Sequence, residues 1–312
     1  MATVFITGGH SGIGLECVRQ LAARGIDLVL AGRSPAAMQT LADELRVAHH
    51  VAVATVEVDL SSLASVRSAS ATVTSMIERG EVQAPDALLC NAGGRFDGPV
   101  KYSPEGYELT FATNCLGHFL LVELLLPLLP AHGRVVYTAS GTHDPDTMDG
   151  KLVGAAAEPN AVALADVGKD GTKSLSVGKR YSTSKLCTVM YAYELARRLD
   201  GAGSSIASIA YDPGSVPETG LSRNLPKVVQ RVAKSSLMEW VSRRVGITTS
   251  TLAFSGTALA DLALDPRYAS GSGKYFQAHD GTLSDVRSST VSYDERRALA
   301  LWDDSARLVG LG

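Results

Sequence analysis

Cysteine is scarce in this chain. Four residues (Cys17, Cys90, Cys115 and Cys187) are dispersed over 312 positions. That number and spacing exclude a disulfide framework and a zinc cluster, and no metal site is expected. Neither sign of charge dominates. Lys and Arg number 29 against 32 Asp and Glu, for a net charge of -3. This excludes a generally basic nucleic-acid binder and leaves no acidic tail. Apolar runs of membrane length are missing too: the longest, Phe119 to Leu129, contains Glu123. There is no internal repeat, no low-complexity tract and no linker that would separate a second domain. No signal-peptide pattern precedes the first strand pattern at Thr3. A reducing, cytoplasmic compartment without stable membrane insertion is therefore expected. What remains is 45% hydrophobic and 20% charged, enough apolar material for a full core.

Short apolar strands alternate with helical patterns. Thr3 to Thr7 reads as a strand that runs into glycines, and Ile13 to Ala23 follows with helical spacing. Asp27 to Ala31 is a second strand, and Pro35 opens a helix, as proline in a first turn does. Val51 to Val58 reads as strand three, with a helix over Leu63 to Ile77. Asp86 to Cys90 is strand four, and Pro104 to Leu129 is a long helical stretch. Arg134 to Ala139 is strand five, Tyr181 to Leu199 a helix, and Ser205 to Tyr211 strand six. This alternation predicts an α/β fold: a doubly wound parallel sheet of about seven strands in one domain, covered on both faces. Two segments break the rhythm, a polar loop from Gly141 to Lys179 and a stretch from Pro217 to Gly246. Both leave carboxyl ends of strands, where ligands bind in this architecture.

The turn after strand one reads Thr7-Gly8-Gly9-His10-Ser11-Gly12-Ile13-Gly14. Glycines let the backbone turn tightly and approach a pyrophosphate. The helix that follows offers free N–H groups and a positive dipole end. Gly8, His10, Ser11, Gly12, Ile13 and Gly14 are therefore candidate dinucleotide contacts. Strand two ends Ala31-Gly32-Arg33-Ser34, without the carboxylate that would bind the ribose 2′-hydroxyl of NAD. Arg33 suits a 2′-phosphate instead, so NADP(H) is the expected cofactor. Asp59 and Leu60, after strand three, are placed to touch adenine.

These residues, together with Asn91-Ala92-Gly93, Asn114, Ser140, Tyr181-x3-Lys185 and Pro213-Gly214, resemble the short-chain dehydrogenase/reductase family. They occur in its order, across the whole chain. The stretches Asn114 to Leu121, Tyr181 to Cys187 and Leu301 to Leu311 look like its retinol dehydrogenase and light-dependent protochlorophyllide reductase branch. Asp212-Pro213-Gly214-Ser215 departs from the Tyr-Pro-Gly-Cys of the protochlorophyllide reductases. The resemblance implies the Rossmann fold. It also implies cofactor contacts from Asn91, Ala92, Gly93, Pro213, Gly214, Val216 and Thr219, besides Tyr181 and Lys185. It further implies a catalytic set of Asn114, Ser140, Tyr181 and Lys185, with Asn114 linked to the lysine through water and Lys185 holding the nicotinamide ribose. The family often dimerises through the helices near 104–129 and 181–199, so a homodimer is one expectation.

Tyr181 and Lys185 are four apart and share a helix face. A free phenol titrates near roughly pH 10. The spacing predicts that the ammonium pulls that value down and lets Tyr181 pass a proton to a carbonyl oxygen, a step worth about 10²–10⁴ in rate. Ser140 is expected to bond the substrate oxygen. Ser140 and Tyr181 are 41 positions apart, a wider gap than the family's commoner one. Arg223 to Arg244 interleaves basic and apolar residues and reads as a lid helix over a bulky apolar substrate, as an amphipathic helix against the core, or, third, as a transient membrane contact. Cys187 reads as packing, and His118 and His143 read as structural. The expected activity is NADPH-dependent carbonyl reduction, or alcohol oxidation, on a bulky apolar small molecule. Light-dependent reduction of a tetrapyrrole double bond and a non-catalytic NADP(H) sensor are the alternatives.

Overall fold

The computed structural model describes residues 2–169, 171, 174–216 and 248–312. Its strands are β1 (Thr3–Thr7), β2 (Asp27–Gly32), β3 (Val53–Glu57), β4 (Ala87–Cys90), β5 (Arg134–Thr138), β6 (Ala207–Asp212), β7 (Tyr275–His279) and β8 (Thr282–Asp285). They form one sheet in the order β3-β2-β1-β4-β5-β6-β7-β8. Every pairing is parallel except β7 with β8. The interior strands are apolar without alternation because both faces are covered; all five residues of β1 are buried. The expected doubly wound sheet is present, with eight strands rather than about seven. The eighth is the antiparallel edge strand. It joins β7 through Asp280 (φ 45°) and Gly281 (φ 75°), an Asp-Gly turn whose twist suits a hairpin.

The helices are α1 (Gly12–Ala23), α2 (Pro35–His49), α3 (Leu63–Glu78), α4 (Leu109–Leu128), α5 (Met148–Val153), α6 (Ala161–Ala165), α7 (Val177–Gly201), α8 (Leu252–Leu264) and α9 (Glu295–Leu308). Of these, α1, α2 and α8 cover one face of the sheet, where Ile6, Leu28, Leu30, Leu41, Ile209 and Leu259 are buried together. On the other face, α3, α4, α7 and α9 bury Phe5, Val29, Leu88, Phe119, Leu186, Tyr191 and Trp302. Each such side chain contributes about 1.5–3 kcal/mol by leaving water, so both apolar layers hold the strand ends in register.

Several boundaries differ from the sequence reading. The long helix begins at Leu109, not Pro104. Gly106 turns the chain at φ 83°, and the Glu108 carboxylate caps the helix by accepting from the Phe111 amide at 2.8 Å. Glu108 is buried with Arg180, at 3.2 Å. α4 is long and apolar enough to cross a membrane, yet 78% of its most apolar window is buried inside this fold. The segment expected as a polar loop, 141–179, holds a 3-10 turn (Gly141–His143), α5, α6 and the start of α7. Its two short helices are capped by the side chains of Thr147 and Asn160, and α7 by that of Ser176. The lid expected over 217–246 lies outside the described residues. On the sheet face that they share, α9 packs against α4 and α7. Trp302 meets Phe119 edge-on at 4.8 Å, and Tyr191 Oη lies 2.6 Å from Ser305 Oγ.

Candidate active site

A cleft of about 790 Å³ runs along the carboxyl ends of the strands. Sheet order explains its place. β1 is followed by β2 on one side, while β4 lies on its other side, so the connections diverge there and leave a crevice. Gly8, His10, Ser11, Gly12, Ile13, Gly14, Arg33, Asp59, Leu60, Asn91, Ala92, Gly93, Pro213, Gly214 and Val216 all line it. Thr219 lies outside the described residues.

The turn after β1 is held from below. The Gly8 amide donates to Ala31 O at 2.8 Å, and Asn91 Nδ2 donates to Thr7 O at 3.0 Å. Thr7 Oγ1 accepts from the amides of Asn91 and Ala92 at 3.0 and 2.9 Å and lies 2.9 Å from His118 Nε2. Burial pushes His118 down to about 4, so it is a neutral prop of the turn. Gly14 has no room for a side chain: a Cβ there would stand 2.4 Å from Gly8 O. Asp59 Oδ1 is occupied by the amide and hydroxyl of Ser61, at 2.9 and 2.8 Å.

At the other end, Tyr181 and Lys185 share one face of α7, both 5% exposed. Lys185 Nζ stands 5.8 Å from the Tyr181 ring centroid and donates to Thr138 O at 2.7 Å. Asn114 sits in a π-helical segment of α4, Ala112–Leu116. Its Nδ2 donates to Gly94 O and Ser184 Oγ at 3.0 and 2.9 Å, and its Oδ1 accepts from the Gly94 amide at 3.0 Å. The amide is thus tied to the β4–α4 loop and to α7, beside the lysine. Ser140 follows β5, and its hydroxyl interacts with that of Tyr181. Its backbone is pinned by His143, whose Nδ1 donates to Ser140 O at 2.8 Å while Nε2 accepts from the Ser289 amide at 3.0 Å. His118 and His143 are accordingly structural, as read from the sequence.

One electrostatic expectation is overturned. The ammonium was to lower the phenol, but burial dominates and pushes Tyr181 up to about 12; the Ser140 hydroxyl opposes it and Asp212 adds to it. Burial also lowers Lys185 to about 8, while Asp212 pulls the other way. A side chain four residues away along a helix is a weaker influence than removal from water.

The sequence reading noted Asp212 only as a departure. It is 1% exposed. It accepts from Tyr275 Oη (3.0 Å), Gln277 Nε2 (2.9 Å) and the Gly214 amide (3.0 Å), three neutral donors. Asp149, on α5, was missed. A Cβ on Gly141 would begin 3.1 Å from Asp212 Oδ2 and 3.3 Å from Asp149 Oδ2, so the two carboxylates flank the residue after Ser140. Burial raises Asp149, and the Thr248 amide donating to it at 3.2 Å opposes this. Nothing in the spacing of positions 149 and 212 announces this meeting.

A family model for short chain dehydrogenases matches residues 2–148. A short chain dehydrogenase/reductase of Colletotrichum higginsianum is 34% identical over 72% of this chain and 57% of its own. Retinol dehydrogenase 13 of Homo sapiens is 31% identical over 99% of this chain and 85% of its own. The chain belongs to the short-chain dehydrogenase/reductase family, in the retinol dehydrogenase and protochlorophyllide reductase-like branch. Among solved structures, an uncharacterised protein of Mycobacterium paratuberculosis superposes with a TM-score of 0.71 at 27% identity, over 99% of this chain and 94% of that one. The oxidoreductase therefore binds a nicotinamide cofactor and acts on alcohol or carbonyl groups. The residues fit such a group. The cleft has its glycine cradle, and His10 Nδ1, Thr113 Oγ1 and Thr138 Oγ1, all on lining residues, are buried without a partner.

Proposed function

We propose that this short-chain dehydrogenase/reductase uses NADP(H) to reduce a ketone or aldehyde, or to oxidise the corresponding alcohol, on a bulky and largely apolar molecule. The observation that carries the reading is the convergence of Ser140, Tyr181 and Lys185 at one end of a cleft whose other end is the glycine turn and Arg33. Cofactor bound along that cleft supplies the hydride. The chain's own groups handle the oxygen. Tyr181 is a protonated phenol at neutral pH, so it is a donor toward the carbonyl oxygen as negative charge develops there. Ser140 offers a second hydroxyl to the same oxygen. Lys185 is the positive charge beside the phenolate that proton donation leaves behind, and Asn114 fixes the stretch of α7 that carries it.

Arg33 supports NADP(H) over NAD(H): it is exposed, and β2 ends without an acid to bind a ribose hydroxyl. Phe96, Val153 and Val216 line the cleft with Tyr181, an apolar surface for the body of the substrate. Asp149 and Asp212 repel anions, so the substrate is neutral near its reacting carbon. The likeness to an enzyme named for retinol supports an apolar alcohol of that kind.

The test is a panel of ketones and aldehydes, retinal included, followed by the loss of NADPH or NADH absorbance in the dark. Dark turnover with NADPH supports the reading. Turnover of protochlorophyllide only under illumination would replace it with tetrapyrrole chemistry. Tight NADP(H) binding with no turnover of any substrate would make the protein a sensor.

A further inference from the structure

Two basic side chains stand together at the adenosine end of the cleft. Arg33 leaves the carboxyl end of β2, is exposed, and forms no ion pair among the described residues. His10, in the glycine turn, lies against the same strand end. A Cβ on Gly32 would meet the imidazole Cε1 at 3.2 Å and Nδ1 at 3.4 Å. Its Nδ1 is buried without a partner. Arg33 is the charged group whose field acts on the ring, and no acid offsets it. Glu57 and Asp59 line a recess on the β3 side of Arg33; Asp59 is occupied by Ser61. Two potential cations side by side, neither ion-paired, form an arrangement that an anion completes.

We propose that His10 is the second half of the 2′-phosphate subsite, and that the proton it takes up there makes the preference for NADP(H) over NAD(H) depend on pH. This rests on the reading of Arg33 as a 2′-phosphate ligand. In the free protein, burial and Arg33 hold His10 below its usual range, so the ring is neutral at pH 7. A phosphate dianion beside it favours the imidazolium, and binding then takes up a proton. His10 therefore titrates higher in the complex than in the free protein. The extra affinity is fully present below the free value and is lost as pH rises through the bound value. NAD lacks the phosphate and binds without this uptake.

The experiment is isothermal titration calorimetry of NADP+ and NAD+ between pH 6.5 and 8.5, in buffers of different ionisation enthalpy. This range lies above the phosphate's own titration, near about 6. The NADP+ preference should fall by about tenfold across the range, the change that one pKa unit of difference allows, with proton uptake for NADP+ alone. His10→Asn and His10→Gln should each flatten the slope and abolish the uptake. Arg33→Ala should lower the preference at every pH while a slope persists. The same slope and uptake in wild type and both His10 variants would overturn the proposal and leave the Arg33 reading standing. Equal affinity for NADP+ and NAD+ at every pH in the wild type would overturn both.

Discussion

The two ends of the cleft are built differently. The cofactor end is made of backbone from one short stretch. Residues 7–14 turn between β1 and α1, and the groups beneath them (Asn91, His118, the Ala31 carbonyl) secure that turn. The reacting end gathers side chains from distant parts of the chain: Asn114 from α4, Ser140 after β5, Asp149 from α5, Tyr181 and Lys185 from α7, and Asp212 from β6. The first can be written as a motif, because glycine spacing alone fixes what the backbone can do. The second has its residues in the sequence but not its electrostatics, because the charges that act on Tyr181 meet only after folding.

The largest effect expected is at the reacting end. Tyr181→Phe should cost about 10²–10⁴ in kcat for carbonyl reduction, while NADP+ affinity, measured by titration, stays within a few-fold. Retained turnover would remove the phenol from the chemistry. At the cofactor end, Gly14→Ala forces a Cβ to within 2.4 Å of Gly8 O and 2.7 Å of Asn91 Nδ2. It should weaken cofactor binding and lower stability by about 1–3 kcal/mol, read from binding titration and thermal unfolding. Normal binding in that variant would mean the turn is looser than its backbone contacts imply.

Protonation offers a sharper comparison. Lys185 must be charged to stand beside a phenolate, and it loses its proton near about 8 in the free enzyme. The kcat/KM for reduction should therefore fall as pH rises through that value. Asp212→Asn removes the negative charge that raises Lys185, so the falling limb should move to lower pH. An unmoved limb would separate Asp212 from the catalytic pair. Stability carries opposite signs for the two groups. Lys185 is depressed from 10.5, so between about 8 and 10.5 the unfolded chain holds more protons and this group's contribution improves with pH. Tyr181 is raised from 10.0 to about 12, so its contribution falls as pH climbs through that window. Thermal unfolding of Lys185→Met and Tyr181→Phe against wild type, from pH 8 to 11, checks both signs. The smallest effect should come from Cys187→Ala. The thiol is fully buried and ionises only well above its usual range. About 1 kcal/mol of packing should be lost, with the activity unchanged.

Much of the fold was legible because its signals are local. Buried parallel strands read as continuous apolar runs, Pro35 marks a helix start, and the glycine turn marks the crevice. Neither β7 nor β8 was placed from the sequence although Asp280-Gly281 carries a hairpin signal; β7 is short and polar toward its end, and the exposed edge strand β8 lacks the apolar run that marks the others. The capped helices of 141–179 were missed because each is one or two turns long and its apolar residues are too few to show a period. Asp149 was invisible for another reason. A carboxylate on a short surface helix has no local feature that says it will end beside residue 212.

The order of residues alone determined the α/β alternation, the turn for a dinucleotide, and a tyrosine and lysine on one helical face, since each depends on spacing within a few residues. Tertiary packing decided the rest. It placed Tyr181 and Lys185 out of water, which raised the proton affinity of the phenol and lowered that of the amine. It also brought Asp212 and Asp149 together beside Gly141 and set His10 against the end of β2. Desolvation and Coulomb fields act through space, and only the folded chain fixes which groups share that space.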